Sequence, residues 1–334
     1  MSSPRPDQNG AAPQVQPRWF TASPSPHLAQ ELHASFRSLM RAQFLAALSS
    51  AAEGLSVDLT PLARRVERLS PALGLSPAAY VELTLLGEAL HSGDVTRVTD
   101  RLQALSILPD AELVDVDFRV EPVLTERWES AFIESVRQDP VDGREREARL
   151  VRALIGKDPA PAIAACDAAL DLISEVDPDL FGEFREYVTR VKLFSGRGYL
   201  GFSSPAAFGA VFIRSPEDAM LEHFLEHLVH ELSHLSLNVL MAHDPLLQNP
   251  STPGDAPLRS DVRPLYQVLH ATFVLGRNVR VMRRVLARYP GGRFEAGLHD
   301  FEAQYREGLR EVAARAEWTQ LGERLWQTLE PEER

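Results

Sequence analysis

Two histidines and a glutamate in the second half of the chain have the types and the spacing of a metal site. They form the run His230-Glu231-Leu232-Ser233-His234, an H-E-x-x-H motif. Residues four apart on an α-helix lie on one face, about one turn apart, so the two imidazoles can bind the same ion. Glu231 is then held close to that ion, where it can act as a base or as a partner of the ligands. Taken alone, the motif predicts a zinc peptidase.

The motif needs a helix, and the pattern around it predicts one over residues 216–242. Ser215 and Pro216 are typical of a helix start, with a capping serine and a proline at the first helical position. The opposite face of this helix is apolar and is expected to pack on the core. At about 100° per residue, a stripe that is about 60° wide around the helix axis contains His223, His227, His230 and His234. We expect His223 and His227 to lie beside the ligands, to face solvent or to lie at the entrance.

A metal held by two imidazoles needs at least one more protein ligand. The residues after His234 lack the glycine and third histidine of the metzincin motif. The next predicted helix begins near Arg263 and has no acidic residue before Arg293, which leaves His270 as the best third ligand. Arg263, Tyr266, His270 and Arg277 are predicted to share one face of that helix.

Two chemistries fit this ligand set, and the residues leave both open. In a zinc peptidase the metal polarises a carbonyl, Glu231 activates water and Tyr266 could stabilise the oxyanion. An oxygenase needs open metal positions for a 2-oxo acid and O2, and an arginine to bind the distal carboxylate. Candidates for that arginine are Arg263, Arg277 and Arg259.

The wider sequence resembles the H-E-x-x-H-motif proteins of bacterial pathways that make ribosomally synthesised, post-translationally modified peptides. The resemblance covers roughly residues 208–285. It rests on three runs: Leu228-Val-His-Glu-Leu-Ser-His-Leu, His243-Asp-Pro-Leu-Leu, and Leu258-Arg-Ser-Asp-Val-Arg-Pro-Leu-Tyr-Gln-Val-Leu-His-Ala. The first half of the chain carries no motif that matches.

The resemblance implies an iron(II)- and 2-oxoglutarate-dependent oxygenase that hydroxylates side chains of a precursor peptide at the β-carbon, using O2. It implies iron ligands His230, His234 and His270, with Glu231 beside them. Arg263 would be the first choice to bind 2-oxoglutarate. The alternative is a zinc metallopeptidase of the gluzincin type that acts on peptides.

Composition sets the broad class of protein. The 334 residues carry a formal net charge of −12, which argues against a nucleic-acid partner. The single cysteine, Cys166, excludes internal disulfides and cysteine-cluster metal sites, and it is expected in a helix core. Neither an apolar run long enough to cross a membrane nor an N-terminal signal segment is visible, so we expect a cytoplasmic protein without a membrane partner.

The expected fold is mainly α with a minor β part, in which a short β-hairpin or sheet lies beside the motif helix. Residues 1–26 are predicted to be a disordered arm, because they are rich in proline and polar residues. Residues 27–190 are expected to form a helical domain that could contact the substrate or its leader, and 191–334 the catalytic region. Smaller expectations are a strand over 113–120, a helix over 143–155 and a candidate lid over 246–262.

Overall fold

The computed structural model describes residues 15–68, 74–114, 117–124, 126–138, 150–154, 156–217, 221–257, 261–291 and 293–329. The prediction of a mainly α protein is confirmed. Within these ranges the helices are α1 (Pro26–Leu55), α2 (Thr60–Arg68), α3 (Pro77–Ser92), α4 (Val95–Ile107), α5 (Asp110–Leu113), α6 (Arg127–Gln138), α7 (Ala160–Val176), α8 (Pro178–Tyr187), α9 (Leu221–Met241), α10 (Leu265–Arg288), α11 (Arg293–Arg315) and α12 (Gln320–Leu329). The strands are β1 (Arg119–Pro122), β2 (Leu150–Arg152), β3 (Arg190–Arg197), β4 (Gly201–Ser203), β5 (Ala210–Arg214), β6 (Pro253–Asp255) and β7 (Val262–Pro264).

A small mixed sheet supports the motif helix. Its strand order is β1-β3-β5-β4, and β2 pairs with the far end of β3. Strands β1 and β5 run parallel to β3, whereas β4 is an edge strand antiparallel to β5, with Phe202 opposite Phe212. Strand β5 is buried, which explains its almost continuous apolar sequence. The first part of β3 is buried as well, although it carries the charged residues Arg190 and Lys192. Sequence reasoning treated the segment between β3 and β5 as a glycine-rich connection and missed β4.

Helix α9 is amphipathic, and its apolar face fixes it in the main core. Phe224, Leu225, Leu228, Leu232 and Leu235 are each 1% exposed or less. They pack among α7, α10 and the sheet. Replacing one such leucine by alanine costs about 2–5 kcal/mol, so this face is what holds the opposite, histidine-bearing face in place. The described part of the helix begins at Leu221, and residues 216–217, where the helix was predicted to start, are not helical.

The N-terminal segment is more ordered than its composition suggests. Trp19 and Phe20 are buried in the main core, and the Trp19 ring lies edge-on to His243 at 5.8 Å. Ser25 caps α1, with Pro26 at the first helical position. Residues 15–25 therefore do not form a disordered arm, because two large aromatic side chains anchor them. Residues 1–14 lie outside the described part of the chain.

The core is continuous across the predicted boundary at residue 190. Phe36 and Phe184 from the first predicted region lie in the same cluster as Leu228 and Phe273 from the second. A smaller cluster joins α1, α2, α3 and α4 around Phe44. Of the described residues, none lies in a helix long and apolar enough to span a membrane.

The candidate lid over 246–262 is tied to the C-terminal helices. Leu247 pairs with Trp318, and the backbone N–H of Gln248 donates to the Glu317 carbonyl. Leu246 has a positive φ of 64°, and a Cβ at Gly322 would lie 1.9 Å from its carbonyl oxygen. This anchoring contradicts a freely moving lid for residues 246–257. Residues 258–260 lie outside the described part.

Two local predictions in the first half are corrected. The strand predicted over 113–120 is shorter: Leu113 ends α5 and β1 begins only at Arg119, with 115–116 not described. The helix predicted over 143–155 is wrong at its end, where residues 150–152 form strand β2 against β3. The pairing with β3, which lies far along the chain, overrides the local helical pattern. Residues 139–149 and 155 lie outside the described ranges.

Candidate metal centre

Three histidines meet where α9 packs against α10. The rings of His230 and His234 lie 4.8 Å apart, and their Nε2 atoms are 3.2 Å apart. His270 stacks on His234 at 5.7 Å between ring centroids, with 3.4 Å between the two Nδ1 atoms. All three side chains are half-buried. We call them the histidine cluster.

The spacing of the first pair suits a shared metal ion. Two nitrogens bound at about 2.0–2.1 Å to one tetrahedral ion lie about 3.2–3.4 Å apart, and His230 and His234 meet that requirement. His270, however, faces the other nitrogen of His234. No set of three or more histidine, cysteine, aspartate or glutamate side chains among the described residues converges on one metal position. The spacing of the pair suits an ion directly, whereas His270 would have to change its orientation to reach the same ion.

Burial keeps the histidine cluster neutral. It lowers the pKa of His230 and of His270 from 6.5 to about 4. Burial and the two neighbouring imidazoles also hold the pKa of His234 well below its usual range. A neutral imidazole carries one free lone pair, and metal binding requires that form. The cluster therefore offers three neutral nitrogen donors at neutral pH.

Glu231 is buried against the sheet edge. The Ser203 hydroxyl on β4 donates to its Oε2 at 2.7 Å, and a Cβ at Gly201 would lie 2.7 Å from its Oε1. Burial raises the pKa of Glu231 to about 8. Glycine at position 201 lets the strand approach the carboxyl closely. The carboxyl thus joins α9 to β4, a role that the motif alone does not indicate.

The other two histidines of the stripe extend the row of rings. His223 and His227 stack at 4.3 Å, and His227 lies 6.4 Å from His230. His223 Nε2 contacts the Arg214 carbonyl oxygen at 2.8 Å. His227 is only 7% exposed, so it does not face solvent. It packs beside His230, as expected for a neighbour of the ligands.

A second polar group lies between α9 and α10, and it is an ion pair. Arg277 Nη1 is 2.5 Å from Glu183 Oε1 and donates to Ser236 Oγ at 3.1 Å. The guanidinium also stacks over the Phe273 ring at 4.5 Å. We call Glu183, Ser236 and Arg277 the ion-pair cluster. Arg277 is buried and paired with Glu183, so it could bind a co-substrate carboxylate only if this ion pair opened.

The remaining predicted residues are not on one helical face. Arg263 lies in β7, before α10 begins, and pairs with Asp261 Oδ2 at 2.7 Å. From Leu265 to His270 the helix rises about 7.5 Å, and Arg263 lies two residues before Leu265, so more than one helical turn separates it from His270 along the chain. Tyr266 is on α10 with its ring 6.5 Å from His270 and 36% of its surface exposed. Arg259 lies outside the described residues.

Sequence reasoning missed Met241, the last residue of α9. Its Sδ lies 3.0 Å from His270 Nε2. Helical spacing places Met241 on the face of His230 and His234, since it follows them by eleven and seven residues. Methionine is common in helix cores, so its type alone gave no indication of this contact.

Comparison with known proteins adds no assignment. The sequence matches no family model. No curated protein matches it either.

Proposed function

We propose that this protein is an iron(II)- and 2-oxoglutarate-dependent oxygenase that hydroxylates the β-carbon of a side chain in a ribosomally made precursor peptide. The observation that carries the proposal is the third nitrogen donor. His270 reaches the motif pair from α10, and its ring stacks on His234. A gluzincin peptidase has a glutamate in that place. The sequence resemblance supplies the co-substrate and the peptide class.

Each residue has a defined role in this proposal. His230, His234 and His270 would hold iron(II), a metal that imidazole ligands suit. When bound, the iron would let O2 and 2-oxoglutarate convert a C–H bond to C–OH, with succinate and CO2 as the other products. The protein binds the ion and the co-substrate, and Arg263 is the described arginine proposed to bind the distal carboxylate, after its pair with Asp261 opens.

The edge strand supports a peptide substrate. Strand β4 contacts α9, and Ser203 touches Glu231, the residue next to His230. An extended peptide can bind a sheet edge through main-chain hydrogen bonds. A substrate bound in this way would run beside the histidine-bearing face of α9, where its side chains could reach the metal.

A zinc metallopeptidase is the second candidate, and the motif itself favours it. The position of Glu231 weighs against this alternative. Its carboxyl is hydrogen-bonded to Ser203 and packed on Gly201, whereas a catalytic base must reach the water that it activates. A peptidase would therefore need Glu231 to leave this contact.

The deciding experiment combines the protein with its cognate peptide under two sets of conditions. With iron(II), 2-oxoglutarate and O2, we expect stoichiometric succinate and a peptide heavier by one oxygen atom. His270→Ala should abolish both products, whereas His299→Ala, which removes an exposed histidine on α11, should leave both unchanged. Peptide cleavage with zinc and without 2-oxoglutarate would refute the oxygenase and support the peptidase.

A further inference from the structure

A charged cavity of about 660 Å³ lies on the face of the sheet that is turned away from α9. Residues along a strand alternate between the two faces of a sheet. On β3, Val191 and Leu193 belong to the main core. Arg190 and Lys192 have the opposite orientation and line the cavity, together with residues of α3, α4, α5, β1 and α6. The cavity is therefore separate from the histidine cluster, and its volume lies in the usual range of about 300–1,000 Å³ for ligand sites.

Buried charges surround this cavity. Lys192 is 1% exposed, and its Nζ lies 2.5 Å from Glu121 Oε1 and 2.6 Å from Glu129 Oε1. The next part of the same sheet face is instead an apolar cluster that contains Phe194 and Phe212. Buried ion pairs are often no more stabilising than apolar side chains of the same size. Charges in this position are therefore more typical of a ligand site than of a core.

One carboxylate and one arginine at the cavity are incompletely paired. Glu82 on α3 is 3% exposed, and its Oε2 accepts from Arg101 at 3.2 Å. Its Oε1 lies 3.9 Å from Arg127 Nε, which is too far for a hydrogen bond. The Arg127 side chain is 51% exposed, and among the described residues only the Asp100 carbonyl accepts from it, at 3.3 Å. The cavity thus presents an acceptor and a charged donor side by side.

We propose that this cavity binds a free α-amino acid, with its ammonium group on Glu82 Oε1 and its carboxylate on Arg127. An α-amino acid carries a cation and an anion on the same carbon atom, which matches the neighbouring carboxylate and guanidinium. Both contacts would be charge-assisted hydrogen bonds. Burial raises the pKa of Glu82 against the effect of Arg101 and Arg127, so a further donor would stabilise its ionised form. Other lining groups, among them Trp128 and Lys192, would contact the side chain of the ligand.

The test uses ligand-observed NMR of the full, metal-free chain with each of the standard amino acids at millimolar concentration. We expect saturation transfer from the protein to at least one free amino acid. Its N-acetyl derivative and its amide should both bind more weakly, because each modification removes one of the two charges. An amide that binds as tightly as the free acid would overturn the amino-acid assignment in favour of a peptide N-terminus. No transfer to any of the amino acids would overturn the site itself.

Two variants test the named contacts. Arg127→Ala removes an exposed side chain and should weaken binding about 10-fold or more, as is usual for loss of a hydrogen bond between charged groups. Arg97→Ala is its matched control, because Arg97 on α4 is 49% exposed and pairs with Glu88 outside the cavity. Glu82→Gln should also weaken binding, with Glu88→Gln as its control. Equal affinity in Arg127→Ala and Arg97→Ala would overturn the inference, whatever the iron(II) experiments show, because this site does not depend on the proposed function.

Discussion

The histidine cluster and the ion-pair cluster lie between the same two helices, but they differ in how their buried polar groups are paired. In the ion-pair cluster, Arg277 is paired with Glu183 and bonded to Ser236, so burial leaves no net charge. In the histidine cluster, three neutral imidazoles face one another, and no carboxylate is seen to join them among the described residues. The first arrangement is complete by itself. The second contains no charge of its own, and its neutral imidazole nitrogens are the donor type that a metal cation binds.

The largest effect on stability is expected in the ion-pair cluster. Arg277→Met leaves the Glu183 carboxylate buried without its partner, which costs about 3–5 kcal/mol. The free energy of unfolding, measured with urea, should fall by this amount. The double variant Glu183→Gln/Arg277→Met should recover much of the loss, since no buried charge remains. Equal instability of the single and double variants would show that the pair does not act as a buried charge pair.

Glu231 gives the next largest effect, and it depends on pH. The folded protein raises the pKa of this carboxyl from 4.5 to about 8, so folding favours its protonated form. The corresponding stability is fully present below pH 4.5 and is lost as the pH rises to 8. Between pH 5 and pH 7 the metal-free protein should lose about 2–3 kcal/mol from this group.

Glu231→Gln tests this directly, because glutamine cannot ionise and its carbonyl can still accept from Ser203. Between pH 5 and pH 7, the free energy of unfolding of Glu231→Gln should fall by about 2–3 kcal/mol less than that of the native protein. An unchanged pH dependence in Glu231→Gln would mean that the carboxyl is not held neutral in the folded protein.

The histidine cluster should show the opposite pH dependence. Folding lowers the pKa of His270 from 6.5 to about 4, so its contribution is complete above pH 6.5 and is lost as the pH falls to 4. At pH 5 this amounts to about 2 kcal/mol. In chelator, His270→Leu should lose less stability than the native protein when the pH drops from 7 to 5. The same loss in both proteins would contradict a desolvated, neutral His270.

The smallest effect on stability is expected at Tyr266, which is exposed. Tyr266 is exposed at 36%, and its hydroxyl accepts from the Gln267 side chain. Tyr266→Phe should change the unfolding free energy by less than about 0.5 kcal/mol, as is usual for surface positions. Cobalt(II) affinity should be unchanged as well. A loss comparable with that of a cluster histidine would place the hydroxyl on the metal.

The sequence predicted the parts of this molecule that follow from local patterns. The period of the apolar residues identified α9 and α10, and the four-residue spacing placed His230 and His234 side by side. The absence of acidic residues before Arg293 singled out His270, which the structure brings to the pair. These inferences depend only on which face of a helix a residue occupies.

Long-range contacts account for the rest. The partner of Arg277 is Glu183, 94 residues away, and the pairing of Leu247 with Trp318 that anchors the expected lid is equally non-local. Trp19 and Phe20 lie in a polar segment, but the core buries them. The contact of Met241 with His270 depends on how two helices pack, which residue spacing within one helix does not determine.

Metal binding by the histidine cluster tests the central claim most directly. Anaerobic titration with iron(II) in competition with a chelator should give one ion per native chain. Removing a residue that only orients a ligand lowers metal affinity by up to roughly 100-fold. We expect a larger loss of iron(II) affinity in each of three variants, His230→Ala, His234→Ala and His270→Ala. The control His299→Ala should bind iron(II) like the native protein. Native affinity in His270→Ala, or no iron bound by the native protein, would contradict a three-histidine metal centre.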